Sequence, residues 1–475
     1  MFDAAIIGCG VVGALIAREL TRYRLKVAIL EKENDVAMGA SKANSGIVHA
    51  GFDAHPGSLK AAFNVEGNRR MPALCRALGV KYHNNGSLVI AFNDTDKATL
   101  SELYQRGKQN GVPDLELLDA AAAHEREPAL SDKVIAALYA PTGGIVCPYG
   151  LTIAAAGNAM DNGAELFTNF EVSDIARTEN GYALTSADGK RVEAAYVVNS
   201  AGLFSDRIAA MVGDTSFTVH PRAGEYMILD KSAATLCTST IFRTPTKMGK
   251  GILVSPTADG NILLGPTSVD VTEKTDKATT PEGLAEIAAL AFEDTPDVPL
   301  RSVITSFTGL RAVGDTGDFI IHASAPGFIT LGGIESPGLT ASPAIAKHVV
   351  GLLKAEGMPT ERNPDFGGKR GAYYRFNESP RAVKNRVIRE NPDYGVIVCR
   401  CESITKGEII EALSVNPPAR DIDGVKRRTR AGMGRCQGGF CSPVVAKLIA
   451  EYSGVPFESV TKCGPGSEIN LKRTK

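Results

Sequence analysis

The sequence carries almost no net charge: 52 basic residues stand against 53 acidic ones, leaving −1. A chain so balanced lays no overall field across nucleic acid or an anionic membrane, so no nucleic-acid partner is expected. It has no basic leader either. The chain starts Met1-Phe2-Asp3, and the first apolar run, 4–17, is broken by Gly8, Gly10 and Gly13, which does not read as a signal peptide. No stretch approaches the ~18 uninterrupted apolar residues of a spanning helix. A cytoplasmic protein is expected, membrane-associated at most through a partner. There is no internal repeat and no low-complexity tract. Nor are the nine cysteines expected to form a disulfide framework, since in a cytoplasmic protein thiols stay reduced.

What remains is an ordinary globular composition, 44% hydrophobic and 22% charged over 475 residues. That length has room for about three folded units at ~150 residues each. The opening reads as one βαβ unit: an apolar strand from Asp3 to Gly8, the turn Gly8-Cys-Gly-Val-Val-Gly13, a helix from Gly13 to Tyr23, and a strand from Lys26 to Leu30. A lone GxGxxG is weak, but this copy follows a strand, opens a helix and has Glu31 at the end of the next strand. Gly8, Gly10 and Gly13 let backbone approach a pyrophosphate. The helix N-terminus supplies free N–H groups, and Glu31 can accept from ribose hydroxyls. NAD and FAD both satisfy this fingerprint.

Further along, 60–78 and Gly150 to Asn162 read as helices, and Tyr196 to Gly202 repeats the strand-turn-helix shape. A strand-rich centre follows, then an apolar strand from Pro326 to Gly333 and a helix from Ala341 to Ala355. From about 360 prolines, glycines and charges crowd together, and 361–395 reads as a linker or wrapping arm, its basic side chains being more simply a solvated connector than a docking patch. Beyond it, Cys399-Arg-Cys401 and Cys436-Gln-Gly-Gly-Phe-Cys441 are two tight cysteine pairs. Four thiolates in two pairs suit a [2Fe-2S] cluster, in which each iron takes two sulfur ligands. Zinc is the competing metal, although a C-x-C pair is unusual for it.

Several dispersed segments, in order, resemble the D-amino-acid-oxidase-type superfamily of flavoproteins. They are Gly8-Cys-Gly-Val-Val-Gly-Ala-Leu-Ile-Ala17 with Leu30-Glu-Lys-Glu33, Asn44-Ser-Gly-Ile-Val-His-Ala-Gly51, Gly144-Ile-Val-Cys-Pro-Tyr149, Asn199-Ser-Ala-Gly202, Thr308-Gly-Leu-Arg311 and Gly333-Ile-Glu-Ser-Pro-Gly-Leu-Thr340. The resemblance implies an α/β fold: a Rossmann-like FAD-binding domain (1-80, 140-215 and 305-360), an α+β substrate domain with an antiparallel sheet (81-139 and 216-304), and a small helical cysteine-ligated domain (396-475). It implies that Gly8, Gly10, Val12, Gly13, Glu31 and Lys32 hold the AMP and pyrophosphate of FAD, with Val172 against adenine and Ala201 and Gly202 beside the dinucleotide. Ser41, Asn44, Ser45 and Gly46 would follow the ribityl chain and flavin. Gly333 and the Pro337-Gly338-Leu339-Thr340 turn would aim a helix N-terminus at the flavin. His49 stands where some relatives attach FAD covalently and others place a free histidine; the noncovalent reading is taken here.

Residues 396 to about 455 resemble the bacterioferritin-associated-ferredoxin-like domain, with Cys399, Cys401, Cys436 and Cys441 at its four [2Fe-2S] ligand positions. Flavin plus cluster resembles the catalytic subunit of anaerobic glycerol-3-phosphate dehydrogenases. The stretch from Asn44 to Lys60 is closer to L-2-hydroxyglutarate dehydrogenases and oxidases, so both substrates stay open. An amino-acid dehydrogenase and a non-catalytic electron-transfer subunit are further alternatives. Either hydroxy substrate is a small anion. Arg311 is the expected cationic anchor, Lys247 and Lys250 candidates for a second contact, His49 the first choice of proton acceptor and His220 the alternative. Arg222 and Glu225 are expected in the pocket wall. The resemblance implies a second flavoprotein or other electron-acceptor subunit as partner.

Overall fold

The computed structural model describes residues 1–245, 251–470 and 472. Its first sheet has eight strands around the parallel core Arg191–Asn199, Phe2–Ile7, Val27–Leu30 and Glu165–Phe167. Fully buried Ala4, Ala5, Ile6, Val27, Ala28 and Ile29 show why these strands are near-continuous apolar runs: helices or further chain cover both faces. The helices Val11–Leu20, Pro148–Asp161 and Gly338–Ala355 contribute Leu15, Ile16, Leu151 and Ile345 to one core with the sheet. Leu59–Leu78 packs along Gly338–Ala355 and is capped by Ser58, whose side chain accepts from the Ala61 N–H.

The second sheet has nine mostly antiparallel strands, including Ser87–Ala91, Ala136–Ala140, Val219–Leu229 and Ile262–Gly265. The strand Val303–Gly314 pairs with Val219–Leu229 over its whole length, from Gly314↔Val219 to Val303↔Leu229. A boundary at 305 therefore cuts a strand of the substrate sheet. That pairing decides where the strand belongs, and the sequence of the segment does not show it. The third unit is a short hairpin, Ile397–Cys399 with Ile404–Thr405, under the helices Lys406–Ser414, Ile422–Thr429 and Ser442–Ser453. Thr405 and Glu408 form a capping box at the first of these helices. Among the described residues no helix is long and apolar enough to cross a membrane.

The 361–395 segment is no free connector. Arg362 bridges to Tyr23, Gly367 accepts from the side chains of Asn158 and Asn162, and buried Arg370 donates to the Asn416 carbonyl. Farther on it forms the helix Arg381–Glu390. Its charges belong to a strap between the first and third units. Solvation is the natural reading of such a composition, but here most of the contacts are with chain far away in sequence.

The third unit is pinned by a buried ion cluster. Asp35, in the loop after the second strand, accepts from Arg427 at 2.6 Å and from Arg428 at 2.8 and 2.9 Å. Burial would raise the Asp35 carboxyl, but Arg428 and Arg427 outweigh it and hold the group down to about 2. This stabilisation is present above the ordinary carboxylate value near 3.8 and is lost as pH falls through about 2. Asp35→Ala leaves two guanidinium groups buried without their carboxylate. It is expected to cost ~3–5 kcal/mol in thermal or denaturant unfolding at pH 7. The cost should shrink toward zero at pH 2, and a loss independent of pH would show that the pair does not dock the domain.

Candidate active site and cluster loop

A cavity of about 1520 Å³ runs between the first two units, and the third supplies part of its wall. It exceeds the ~300–1,000 Å³ of most small-ligand sites, which leaves room for a dinucleotide together with a small molecule.

One end is the glycine turn. Gly8 has φ +93°, and a Cβ there would lie 2.7 Å from the Ser200 carbonyl oxygen. At Gly13 a Cβ would lie 2.1 Å from the Gly8 carbonyl oxygen, so this glycine lets the helix rest on the turn and stands behind the cavity wall. Gly10 and Val12 are on the wall. The helix Val11–Leu20 has no side-chain cap; its Val11 N–H donates to Ser41 Oγ at 2.9 Å. Glu31 accepts from the Cys9 N–H at 2.7 Å and the Glu33 N–H at 3.0 Å. Burial pushes its carboxyl up to about 7. Lys32, Val172, Ala201 and Gly202 complete this end, with the Lys32 ammonium 4.2 Å from the Phe204 ring centroid.

Ser41, Asn44, Ser45 and Gly46 line the middle. The Asn44 side chain accepts from the Gly46 N–H at 2.8 Å, which fixes the bend. Pro337, Gly338 and Leu339 lie at the far end, where the helix Gly338–Ala355 begins without a side-chain cap. Thr340 is one layer back, its Oγ1 accepting from the His49 N–H at 2.9 Å. Gly333 packs against Gly314, off the wall. Two open helix N-termini, a buried carboxylate and a glycine turn without room for a Cβ suit an extended flavin dinucleotide.

His49 and Arg311 face the same cavity. The His49 ring lies 5.9 Å from that of Phe242, with its Nε2 3.4 Å from Ser336 Oγ. Arg311 donates to the Thr267 carbonyl at 2.6 Å and to Ser268 Oγ at 3.3 Å. Among the described residues no carboxylate lies within ion-pair distance of its guanidinium, whereas Arg222, opposite it across the strand pair, is closed by Asp270 at 2.6 Å. Of this facing pair, Arg311 is thus the one with charge to offer.

His220 shares the strand face of Arg222 and Tyr226 but lies past the end of the cavity, opposite Val313. Strand alternation corrects Glu225 as well: it points the other way and takes the N–H and hydroxyl of Thr280 at 2.9 and 2.8 Å, fixing the start of the helix Pro281–Asp294. Lys247 and Lys250 lie outside the described residues.

The four cysteines pair across the two motifs. Cys401 Sγ is 3.6 Å from Cys436 Sγ, and buried Cys399 is hydrogen-bonded to Cys441. A tetrahedral metal with ~2.3 Å bonds to sulfur spaces two ligands by ~3.8 Å. Among the described residues no three metal-ligating side chains converge as they would on one ion. Two facing pairs are what two irons require. Backbone N–H groups of Gly438, Gly439 and Phe440 turn toward Cys436, and those of Glu402 and Gly432 toward Cys399.

The cluster loop is part of the cavity. Met433 and Gln437, the latter next to Cys436, lie on its wall, and Tyr149 donates its hydroxyl to Met433 Sδ at 3.6 Å. Arg430 locks the junction, donating to Glu402 at 2.9 Å, Asp259 at 3.0 Å and Asn261 at 2.9 Å. Met433, Gln437 and Arg430 lie in the stretch around the second cysteine pair, but that stretch gives them no role at the cavity. Their residue types are ordinary, and only the docking of the third unit brings them here.

Comparison with known proteins agrees with this geometry. A family model for FAD-dependent oxidoreductases matches residues 3–352, and one for BFD-like [2Fe-2S] binding domains matches 397–451. The chain is 47% identical over 478 residues to a glycerol 3-phosphate dehydrogenase of Caloramator mitchellensis, covering 100% of this chain and 99% of that one. It is 32% identical to an L-2-hydroxyglutarate dehydrogenase of Escherichia coli K12, over 57% of this chain and 64% of the relative. Among solved structures it resembles the dithionite-reduced, FAD-bound L-alpha-glycerophosphate oxidase of Mycoplasma pneumoniae, with TM-score 0.75 and 30% identity over 79% of this chain and 99% of the other. The chain belongs to the FAD-dependent oxidoreductases and carries a BFD-like [2Fe-2S] binding domain at its C-terminal side.

Proposed function

We propose that the protein oxidises glycerol 3-phosphate to dihydroxyacetone phosphate and passes the electrons through the cluster domain to a protein acceptor. The observation that carries this reading is an Arg311 guanidinium with no carboxylate partner among the described residues, on the same cavity wall as His49 and the cluster loop. The relative of matching length, which spans both domains, supports the choice of substrate. Bound FAD supplies the hydride acceptor and the [2Fe-2S] cluster a one-electron carrier. The residues supply the rest. Arg311 holds the phosphate with its fork of donors. His49 Nε2 takes the proton of the hydroxyl whose carbon is oxidised, with Thr340 fixing its backbone and Phe242 its ring. Tyr226, stacked on Phe307 at 4.8 Å, keeps that wall dry.

The partner is the less determined half. Cys401 is exposed, and Phe440, between ligands Cys436 and Cys441, is 84% exposed. This edge is where an acceptor protein, a second flavoprotein by resemblance, would dock.

One observation favours a second reading: the segment from Asn44 to Lys60 is closer to the L-2-hydroxyglutarate enzymes, and Arg311 would clamp a carboxylate equally well. Anaerobic titration separates the two. Bleaching of the flavin band by glycerol 3-phosphate, with no change on adding L-2-hydroxyglutarate, is expected. The reverse pattern transfers the assignment, and silence toward both removes it.

A further inference from the structure

We propose that Lys42, Lys277 and Lys426 form a phosphate-binding junction at which the three units meet, holding the diphosphate of FAD from the side opposite the glycine turn. The proposal rests on FAD being the cofactor. It adds that the cluster domain is part of the FAD site.

The three lysines come from separate parts of the chain. Lys42 ends the turn Ala40–Lys42 of the first unit, Lys277 lies on a loop of the substrate unit, and Lys426 is in the helix Ile422–Thr429 of the third. All three line the cavity. Lys42 feels the charges of Cys463, Arg427, Lys277 and Asp423, and Lys426 those of Asp423, Lys462, Arg427 and Arg430, so the two share Arg427 and Asp423 as neighbours, with exposed Lys277 on the Lys42 side.

The acids nearby are committed elsewhere. Asp423 pairs with Lys462 at 3.1 Å, Asp35 with Arg427 and Arg428, and Asp206 with Lys274 at 2.8 Å. Asp421 accepts from the Gly424 N–H and from Asn34. Among the described residues no carboxylate lies within 4 Å of the ammonium of Lys42, Lys277 or Lys426, and Lys42 contacts Met38 Sδ at 3.7 Å. Burial pulls both Lys42 and Lys426 below the ordinary lysine range, against the opposing pull of Cys463 on Lys42 and of Asp423 on both.

Clustered ammonium groups in a walled cavity repel one another unless an anion joins them. The position indicates which anion. Lys42 follows Ser41, whose Oγ receives the first N–H of the helix Val11–Leu20, so Lys42 stands beside that helix N-terminus. A diphosphate there meets N–H groups on one side and ammonium groups on the other. The phosphate of the substrate is the other source of the same chemistry.

The test uses full-length protein stripped of flavin, refilled with FAD and followed by flavin fluorescence at several KCl concentrations. Lys42→Gln and Lys426→Gln are each expected to weaken FAD binding about 10-fold, and the double variant about 100-fold, as loss of charge-assisted hydrogen bonds implies. The salt dependence of binding should flatten in the double variant. Lys42→Arg should restore most of the affinity, and Lys447→Gln, an exposed lysine of the same domain, should change nothing. Unchanged FAD affinity with a raised KM for glycerol 3-phosphate overturns the proposal and gives the lysines to the substrate. Unchanged values for both overturn it too. If wild-type apoprotein takes up no FAD, the cofactor reading itself fails; uptake by wild type that ignores the substitutions sinks the junction alone.

Discussion

Arg311→Ala is expected to remove almost all turnover while leaving flavin content and folding intact. The fold loses little, because Arg311 spends its donors on one backbone carbonyl and one hydroxyl and takes part in no ion pair among the described residues. The substrate loses a guanidinium fork inside a partly desolvated cavity. Truncating one partner of such a charge pair costs ~2–5 kcal/mol, so kcat/KM for glycerol 3-phosphate should fall by ~30- to 5,000-fold. Arg311→Lys keeps the charge but not the bidentate geometry and should fall between the two. Steady-state kinetics with the flavin absorbance as a content check decides it. Turnover near wild type would send the anchor to another cation, Lys247 and Lys250 being the first to substitute.

How much of this could be read beforehand depended on how local each feature is. Gly8, Gly10 and Glu31 act within one βαβ unit, so spacing alone locates them, and a GxGxxG between strand and helix has few other uses. Arg311 was legible through its segment. His220 and Glu225 were not: alternation along Val219–Leu229 decides which residues face inward, but the end of the cavity is set by neighbouring strands. The cysteines show the same division. Their expected role as ligands follows from the motif, whereas the pairing of Cys399 with Cys441 and Cys401 with Cys436 depends on how the loop folds back. Lys42, Lys426, Met433 and Arg430 meet from positions more than a hundred residues apart or by docking of a whole unit. Nothing in their immediate sequence announces it. In the 361–395 arm the composition favours solvated basic side chains, whereas the contacts of Arg362 and Arg370 depend on partners far away in sequence.

Cys436→Ser is expected to separate substrate oxidation from electron delivery. Among the four thiols it is the informative one to change. Cys399 and Cys441 are 1% and 2% exposed within the core of the third unit, so substituting either disturbs packing as well as ligation. Cys436 is half-exposed on a loop and serine nearly matches its shape, so the docking contacts of Asp35 and Arg430 should persist. The variant should bind FAD, bleach its flavin with glycerol 3-phosphate at a rate near wild type, lose the visible bands of the cluster, and deliver electrons to its protein acceptor only at background. A slowed bleaching step would mean that the cluster loop shapes the substrate end of the cavity, as its wall residues Met433 and Gln437 allow. Undiminished delivery would break the proposed route, because a flavin that reaches the acceptor directly makes the wall contact between the cluster loop and the cavity incidental. Arg430→Gln then distinguishes connection from mere presence: with the cluster bands retained and delivery slowed, the hydrogen bonds from Arg430 to Glu402, Asp259 and Asn261 are what hold the two sites in register.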